Sequence, residues 1–293
     1  MKVFMAGGTG FVGGNLCATL REAGHELRLL VHSRHECHGS GIEQVEGDAT
    51  DMQTFAGKVA GCDAVINLIG IIREFPGRGI SFEKLHVEAT RTMLAATKQA
   101  GIRRYIQMSS LGTRPDAVSG YHQTKWRAEE LVRESGLEWT IFRPSLIFGP
   151  GDAFVNMLAG QIRKLPVVPV IGDGAYRMQP ISVNDVARCF SMALGMPETV
   201  GQTFELCGGD RMSFGEMLDV IGKVLGKKSV PKLHNPLGIM KLATALLERF
   251  QFYPVTMDQI QMLLEENICD GRWREAFRFE PEPFEPGISR YLR

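Results

Sequence analysis

No apolar run in this chain of 293 residues approaches the roughly 20 needed to cross a bilayer as a helix, which removes a transmembrane span from the expectations. Neither charge is in excess. Thirty-three basic residues against 33 acidic ones give a formal net charge of zero, so nothing draws the whole chain to nucleic acid or to an anionic surface. Trp126, Trp139 and Trp273 are not interleaved with basic residues, which argues against an aromatic-basic nucleic-acid groove. No Cys-x-x-Cys occurs among the cysteines at 17, 37, 62, 189, 207 and 269, so neither a paired zinc ligand set nor a dithiol motif is written. Several of these cysteines sit among small or apolar residues, the setting of reduced, buried thiols. No internal repeat or low-complexity tract appears. Met1-Lys2 leads straight into an apolar segment with no room for a signal peptide, and cytoplasm is the expected compartment.

What the chain does contain is concentrated at its start. Val3 to Ala6 is a short apolar run that ends in glycines at 7, 10 and 13, and the amphipathic segment Asn15 to Ala23 follows at once. The reading is a buried strand, a tight turn and a helix whose N-terminus faces that turn. Exposed N–H groups and the helix dipole make such a turn a cradle for pyrophosphate. Gly7 serves the sharp turn, Gly10 the approach of phosphate and Gly13 the packing of helix on strand. Thr9, Phe11 and Val12 complete the expected contact set.

Further on, strand patterns at 26–31, 43–47, 64–68, 105–108 and 139–142 alternate with helical ones, the clearest at 82–99 and 121–134. Strands separated by helices predict an α/β fold, a doubly wound parallel sheet covered on both faces, with ligands at the carboxyl ends of the strands. The rhythm breaks in the Pro- and Gly-rich stretch 143–177. Two domains are expected: 1–150 binding dinucleotide, and 151–293 forming a smaller mixed C-terminal substrate or partner lobe, some of whose segments return to the first.

Each carboxyl end carries something polar. Gly47-Asp48 offers a carboxylate to an adenine amino group, or is simply a turn. Asn67-Leu68-Ile69-Gly70 falls where the adenosine ribose is expected, and Leu68 and Gly70 join the cofactor set. Met108-Ser109-Ser110 ends the next strand, and eleven residues beyond Ser110 comes Tyr121-His122-Gln123-Thr124-Lys125. Residues four apart share one helix face, so the phenol and the ammonium project to the same side. The expectation is that the ammonium lowers the Tyr121 pKa from ~10 toward working pH. Tyr121 would exchange a proton at a substrate oxygen, Ser110 would hold that oxygen, and Lys125 would also anchor ribose hydroxyls.

At the end of the second strand, where a carboxylate ordinarily holds a ribose 2′-hydroxyl, the chain has Val31-His32-Ser33-Arg34 and no acid. Arg34 can pair with a 2′-phosphate and Ser33 can donate to it, so NADP(H) is favoured over NAD(H), with His32 in the same contact set. His32, His35, Cys37 and His38 are metal-competent types, but no second matched pair exists and no metal is expected. Ile239, Leu242, Ala243, Leu246 and Phe250 are spaced as one face of an amphipathic helix around Lys241, Glu248 and Arg249. A core-facing role and a membrane- or partner-facing role both fit that spacing.

Gly7, Gly10, Gly13, Asp48, Ser110, Tyr121 and Lys125, together with Arg143-Pro144-Ser145-Leu146-Ile147-Phe148-Gly149-Pro150 and the later 180–187 segment Pro-Ile-Ser-Val-Asn-Asp-Val-Ala, resemble the extended or atypical branch of the short-chain dehydrogenase/reductase superfamily. Within it the chain is similar to the nucleotide-binding accessory subunit of respiratory complex I and its bacterial relatives. That similarity rests on Asn67-Leu68-Ile69-Gly70-Ile71-Ile72, on 86–91 (His-Val-Glu-Ala-Thr-Arg) and on 104–112 (Arg-Tyr-Ile-Gln-Met-Ser-Ser-Leu-Gly). The resemblance implies a Rossmann sheet, a Ser110-Tyr121-Lys125 catalytic set and a cofactor site reaching Pro144. One departure is His86, where catalytic members of the superfamily often carry asparagine. Three functions follow: an NADP(H)-dependent oxidoreductase or epimerase on a hydroxyl or carbonyl substrate, a cofactor-binding accessory or assembly protein of a respiratory NADH:quinone oxidoreductase, and a nucleotide-dependent regulator. Arg143 and Arg177 are candidates to meet an anionic group or to pair structurally. A homodimer and a peripheral association with a membrane complex stay open.

Overall fold

The computed structural model describes residues 1–33, 41–248 and 255–292. Its described residues fall into two compact units. One comprises Met1–Pro144, Asn184–Glu205 and Arg272–Arg278; the other comprises Ser145–Val183, Leu206–Gly271 and Phe279–Arg293.

The first unit is built on strands β1 (Lys2–Ala6), β2 (Glu26–Val31), β3 (Ile42–Glu46), β4 (Ala64–Asn67), β5 (Arg104–Met108) and β6 (Glu138–Pro144). With Gln202–Leu206 they form a seven-stranded sheet in the order Gln202–Leu206, β6, β5, β4, β1, β2, β3. The registers Val3↔Leu27, Val3↔Ala64, Ala64↔Arg104 and Arg104↔Glu138 are parallel, so crossovers alternate about β1 and the switch point lies between β1 and β4. Both sheet faces are covered, which is why the strands read as continuous apolar runs such as Val3-Phe4-Met5-Ala6, all fully buried. Phe4, Phe55, Val65, Met93, Tyr105, Val132 and Ile141 make one of its cores. Each large side chain buried there contributes about 1.5–3 kcal/mol of burial free energy.

The helices that follow these strands include α1 (Phe11–Glu22), α2 (Ala56–Val59), α3 (Ala89–Gln99) and α4 (Gly120–Arg133), with site residues on α1 and α4. α1 begins four residues before the predicted apolar segment, because Gly13 and Gly14 are helical despite their low propensity. The helix predicted over 82–99 is two pieces, a π-helical turn at Glu83–Glu88 followed by α3. Periodicity could not separate them, since the wider turn advances the chain by one residue without interrupting the helix.

The second unit has its own core, in which Phe148, Val155 and Leu158 meet Met217, Leu218, Ile221, Phe284 and Ile288. Its Leu237–Leu247 helix carries a single charge, Lys241, and leaves Ile239, Leu242 and Leu246 65%, 65% and 61% exposed while Thr244 is buried. The core-facing alternative for that stripe is therefore not met. An almost wholly apolar helix has no polar face to mark which side looks outward. Phe250 and Arg249 lie outside the described residues. A disulfide joins Cys207 to Cys269 across 62 residues, so these two are not the reduced thiols expected. Cys17, Cys62 and Cys189 are buried thiols. No helix among the described residues is long and apolar enough to cross a membrane.

Candidate functional site

The glycine turn follows β1 and caps α1. Gly7 has φ +83°, and a Cβ there would stand 3.0 Å from the Leu68 carbonyl carbon, so the position requires glycine twice over. At Gly13 a Cβ would lie 2.2 Å from the Gly7 carbonyl oxygen, which fixes helix against turn. Gly10 is the N-cap of α1 and supplies no capping side chain. The first N–H groups of that helix are thus left for an anion, with Thr9 and Gly10 exposed, Phe11 half-buried and Val12 buried beneath them.

At the end of β2, His32 and Ser33 are exposed. Arg34, and the loop residues His35, Cys37 and His38, lie outside the described residues. Gly47 follows β3, where a Cβ would meet Leu30 and Phe55 at 3.0 Å. Its neighbour Asp48 turns inward on its own loop, with Oδ1 accepting from the Thr50 amide (2.8 Å) and hydroxyl (2.7 Å). Burial pushes its carboxyl up, but the Thr50 hydrogen bonds and the nearby Lys84 and His32 outweigh that and hold it below its ordinary value. The turn reading of Asp48 is thereby met in geometry.

The chain leaving β4 is shaped by Asn67, a fully buried residue that sequence reasoning did not place in the site. Its amide donates to Gln107 Oε1 (3.1 Å) and its Oδ1 accepts from the Ile69 N–H (3.1 Å). That bend leaves Leu68 buried and brings Gly70 against helix α4. A Cβ on Gly70 would lie 2.8 Å from Lys125 Nζ and 3.7 Å from His86 Nε2.

Ser110 follows β5 in a loop tied to β6, where the Ser109 N–H donates to the Phe142 carbonyl (2.7 Å) and the Leu111 N–H to the Pro144 carbonyl (2.9 Å). Pro144 therefore serves the Ser110 loop through its backbone. Ser119 caps α4 by accepting from the His122 N–H (3.2 Å), and Tyr121 and Lys125 follow on one face. The Tyr121 phenol has the Ser110 side chain close enough to act on its pKa. Its ring packs among Phe82 (5.8 Å between centroids), His86 (5.3 Å) and His122 (5.2 Å). Burial raises the Tyr121 pKa, only partly countered by Ser110, and Lys125 is not among the causes. The expected depression by the ammonium is corrected: in this enclosed ring cluster desolvation wins, and the phenol stays protonated.

Lys125 is 3% exposed. Its ammonium donates to the Ile69 carbonyl at 3.4 Å and the Met108 carbonyl at 3.3 Å, both long. Burial lowers its pKa to about 8, with only the more distant Glu129 acting against this. A buried cation so weakly satisfied fits a further acceptor, and the paired hydroxyls of a ribose are such an acceptor.

Beside it lies His86, also missed as a site residue. Its Nδ1 is 2.8 Å from Thr124 Oγ1, and its Nε2 is 3.2 Å from both the N and the O of Ile71. Arg143 is spent on an ion pair, with Nε and Nη2 donating to the two oxygens of fully buried Glu129 at 2.9 and 2.7 Å. Arg177 likewise pairs with Glu266 at 2.8 Å. Neither is left over for an anionic ligand on this geometry.

The sequence profile of a family described as NAD(P)H-binding matches residues 7–194. The mitochondrial NADH dehydrogenase [ubiquinone] 1 alpha subcomplex subunit 9 of Arabidopsis thaliana is 33% identical over 225 residues, 73% of this chain and 56% of that protein. The chain thus spans little more than half of that relative's length. A 3-beta-hydroxysteroid dehydrogenase of Mycolicibacterium neoaurum is 33% identical over 266 residues, covering 78% of this chain and 71% of the relative. Among solved structures, a UDP-glucose 4-epimerase of Thermotoga maritima superposes with a TM-score of 0.78, covering 100% of this chain and 97% of that one at 18% identity, which speaks to fold alone.

Proposed function

The chain belongs to the NAD(P)H-binding family with a short-chain dehydrogenase/reductase-like fold, and from that premise we propose that it is an NADP(H)-dependent oxidoreductase acting on a small hydroxyl or carbonyl substrate. The observation that carries the reading is the buried, under-satisfied Lys125 ammonium one helical turn from the Tyr121 phenol, whose pKa the Ser110 side chain draws down against burial. The dinucleotide, when bound, supplies or accepts the hydride. The protein's own residues do the rest. Gly7, Gly10 and Gly13 leave room and N–H donors for its pyrophosphate. Lys125 meets the hydroxyls of the ribose next to the nicotinamide. Ser110 donates to the substrate oxygen, and Tyr121, a neutral phenol, gives that oxygen its proton. Reduction of a carbonyl is the direction such a protonation state favours.

Preference for NADP(H) is supported by the lack of an acid after β2 and by the exposed Ser33 beside Arg34. Titrating the protein with NADPH and with NADH tests it, and tighter NADH binding overturns it. Turnover of a carbonyl panel by wild type, lost in Tyr121→Phe with cofactor affinity kept, tests the chemistry.

A second reading has its own support. The likeness to the mitochondrial NADH dehydrogenase subunit fits a cofactor-binding accessory or assembly protein of a membrane respiratory complex. Retained cofactor binding with no turnover by wild type, and co-purification with respiratory subunits, would favour it. Under either reading the ligand is a dinucleotide, and neither nucleic acid nor metal is required.

A further inference from the structure

We propose that His86 is a positioning residue, whose imidazole latches the Ile69–Ile71 turn to helix α4 and so sets the carbonyl against which Lys125 rests. The proposal rests on the dinucleotide reading above only for what Lys125 binds. The latch itself is built from four groups. Thr124 Oγ1 lies one residue before Lys125 and 2.8 Å from His86 Nδ1. It is also within donating distance of the Gly120 carbonyl (2.8 Å) and the Tyr121 carbonyl (2.9 Å) of its own helix. On the other side of the ring, Nε2 faces the backbone of Ile71, two residues beyond the Ile69 carbonyl that Lys125 contacts.

Both Ile71 N and Ile71 O are 3.2 Å from Nε2, so the tautomer decides which of them is served. In this half-buried turn a backbone N–H left without an acceptor costs more than a carbonyl oxygen left without a donor. That preference assigns the bare nitrogen to Nε2, accepting from the Ile71 N–H, and the proton to Nδ1, donating to Thr124 Oγ1. The Thr124 hydroxyl hydrogen then goes to its own helix. The set is closed: each hydrogen has one acceptor and the ring is neutral.

The location of the ring suits this task. His86 is 1% exposed and lies in the π-helical turn Glu83–Glu88, stacked on Phe82 at 5.3 Å and edge-on to Tyr121 at 5.3 Å. A π turn rotates one residue out of α register, which is how a helix otherwise committed to the core presents an imidazole to the turn after β4. Gly70 lies beside the latch, where a Cβ would displace the Lys125 ammonium, 2.8 Å away, and touch the ring at 3.7 Å. Without the latch, the long Lys125 contact is the one hydrogen bond among the described residues that ties the Ile69–Ile71 turn to α4.

The test uses the full chain with ¹⁵N-labelled histidine. The spectrum of wild type is expected to contain one imidazole, absent from His86→Gln, with a protonated Nδ1 and an unprotonated Nε2. Thr124→Val keeps volume and removes the acceptor. It is expected to move the proton to Nε2 and to speed hydrogen exchange at the Ile71 amide, because Nε2 then donates to the Ile71 carbonyl. Binding is read with NADPH and, for the adenosine half alone, with ADP. Thr124→Val and His86→Ala are expected to weaken NADPH about tenfold, the loss of roughly one buried hydrogen bond, with ADP unchanged and His86→Gln recovering most of the loss. An Nε2-protonated wild-type ring, unaltered exchange at Ile71 in Thr124→Val, or equal losses for NADPH and ADP would overturn the latch. Wild type that binds no dinucleotide would overturn the functional reading instead, since tautomer and exchange are read without ligand.

Discussion

Acid should unfold this protein in part through one histidine. Burial, and secondarily the charge of Lys125, lower the His86 pKa from its ordinary 6.5 to about 2, while the Ile71 backbone acts weakly in the other direction. The acids of its own turn offer no relief, because Glu83 is paired with Arg127 and Glu88 with Arg91. Below pH 6.5 the unfolded chain therefore takes up a proton at this site that the native chain refuses. Stability contributed by the neutral ring is complete above pH 6.5 and is lost as pH falls toward the native value. Each pH unit in that window costs about 1.4 kcal/mol, so the fall from pH 7 to pH 5 costs about 2 kcal/mol from His86 alone. Any native pKa below about 4 gives nearly the same figure at pH 5, because the ring is then unprotonated throughout. Urea unfolding of wild type and of His86→Gln at pH 7, 6 and 5 measures it. The variant starts lower at pH 7, having lost a packed ring, and the gap closes by about 2 kcal/mol at pH 5. Parallel stability curves for the two proteins would show that His86 is protonated in the native state and refute the reasoning.

Lys125, with its pKa lowered by burial to about 8, is charged at neutral pH and loses its proton at mildly alkaline pH. Dinucleotide affinity should therefore fall as pH rises through 8, and Lys125→Met should bind more weakly with no such fall, as fluorescence titrations at pH 7 and 9 would show. Glu129→Gln should destabilise the first unit by about 3 kcal/mol, because it leaves the partly buried guanidiniums of Arg143 and Arg133 without their shared carboxylate. Adding Arg143→Met should recover part of that loss in a denaturant titration. Reducing the Cys207–Cys269 bridge, which closes a 62-residue separation, should lower the stability of its unit by up to about 4 kcal/mol, with Cys207→Ala reproducing the effect without reductant.

What could be read before folding was whatever lies close in sequence. The β1 turn was legible because three glycines fall within seven residues, and two of them, Gly7 and Gly13, are required by contacts with Leu68 and within the turn. Strand 26–31 was read at its observed bounds and the others within two residues at each end, since a strand buried on both faces is simply an apolar run between turns. The Tyr121 and Lys125 pair was legible because a helix converts a spacing of four into a shared face. Contacts between distant segments were not. Thr124 and His86 are 38 residues apart, the Asn67 and Gln107 amides 40, and the bridged cysteines 62. No local pattern encodes which buried polar group will find which partner. Arg143 shows the same limit: its charge was visible, but not that Glu129 on α4 would already neutralise it.

Tyr121 shows where pattern reading reverses sign. Spacing alone places an ammonium one turn from a phenol and invites a lowered pKa, yet a pKa depends on everything else around the oxygen. Here Phe82, His86 and His122 enclose the ring, and the one counteracting group is the Ser110 hydroxyl. The weak contacts of Lys125 are to backbone carbonyls of Ile69 and Met108, and its charge is not among the influences on the phenol. Under the proposed chemistry the two residues divide the work: Lys125 holds the cofactor, and Tyr121 keeps its proton until a substrate oxygen draws it off. A protonated resting phenol suits carbonyl reduction over alcohol oxidation, because the donor is loaded before the substrate arrives. At saturating dinucleotide, which removes the loss of affinity through Lys125, the two directions should then part in their pH dependence, with oxidation gaining as pH rises toward the raised Tyr121 value and reduction flat until that value is reached.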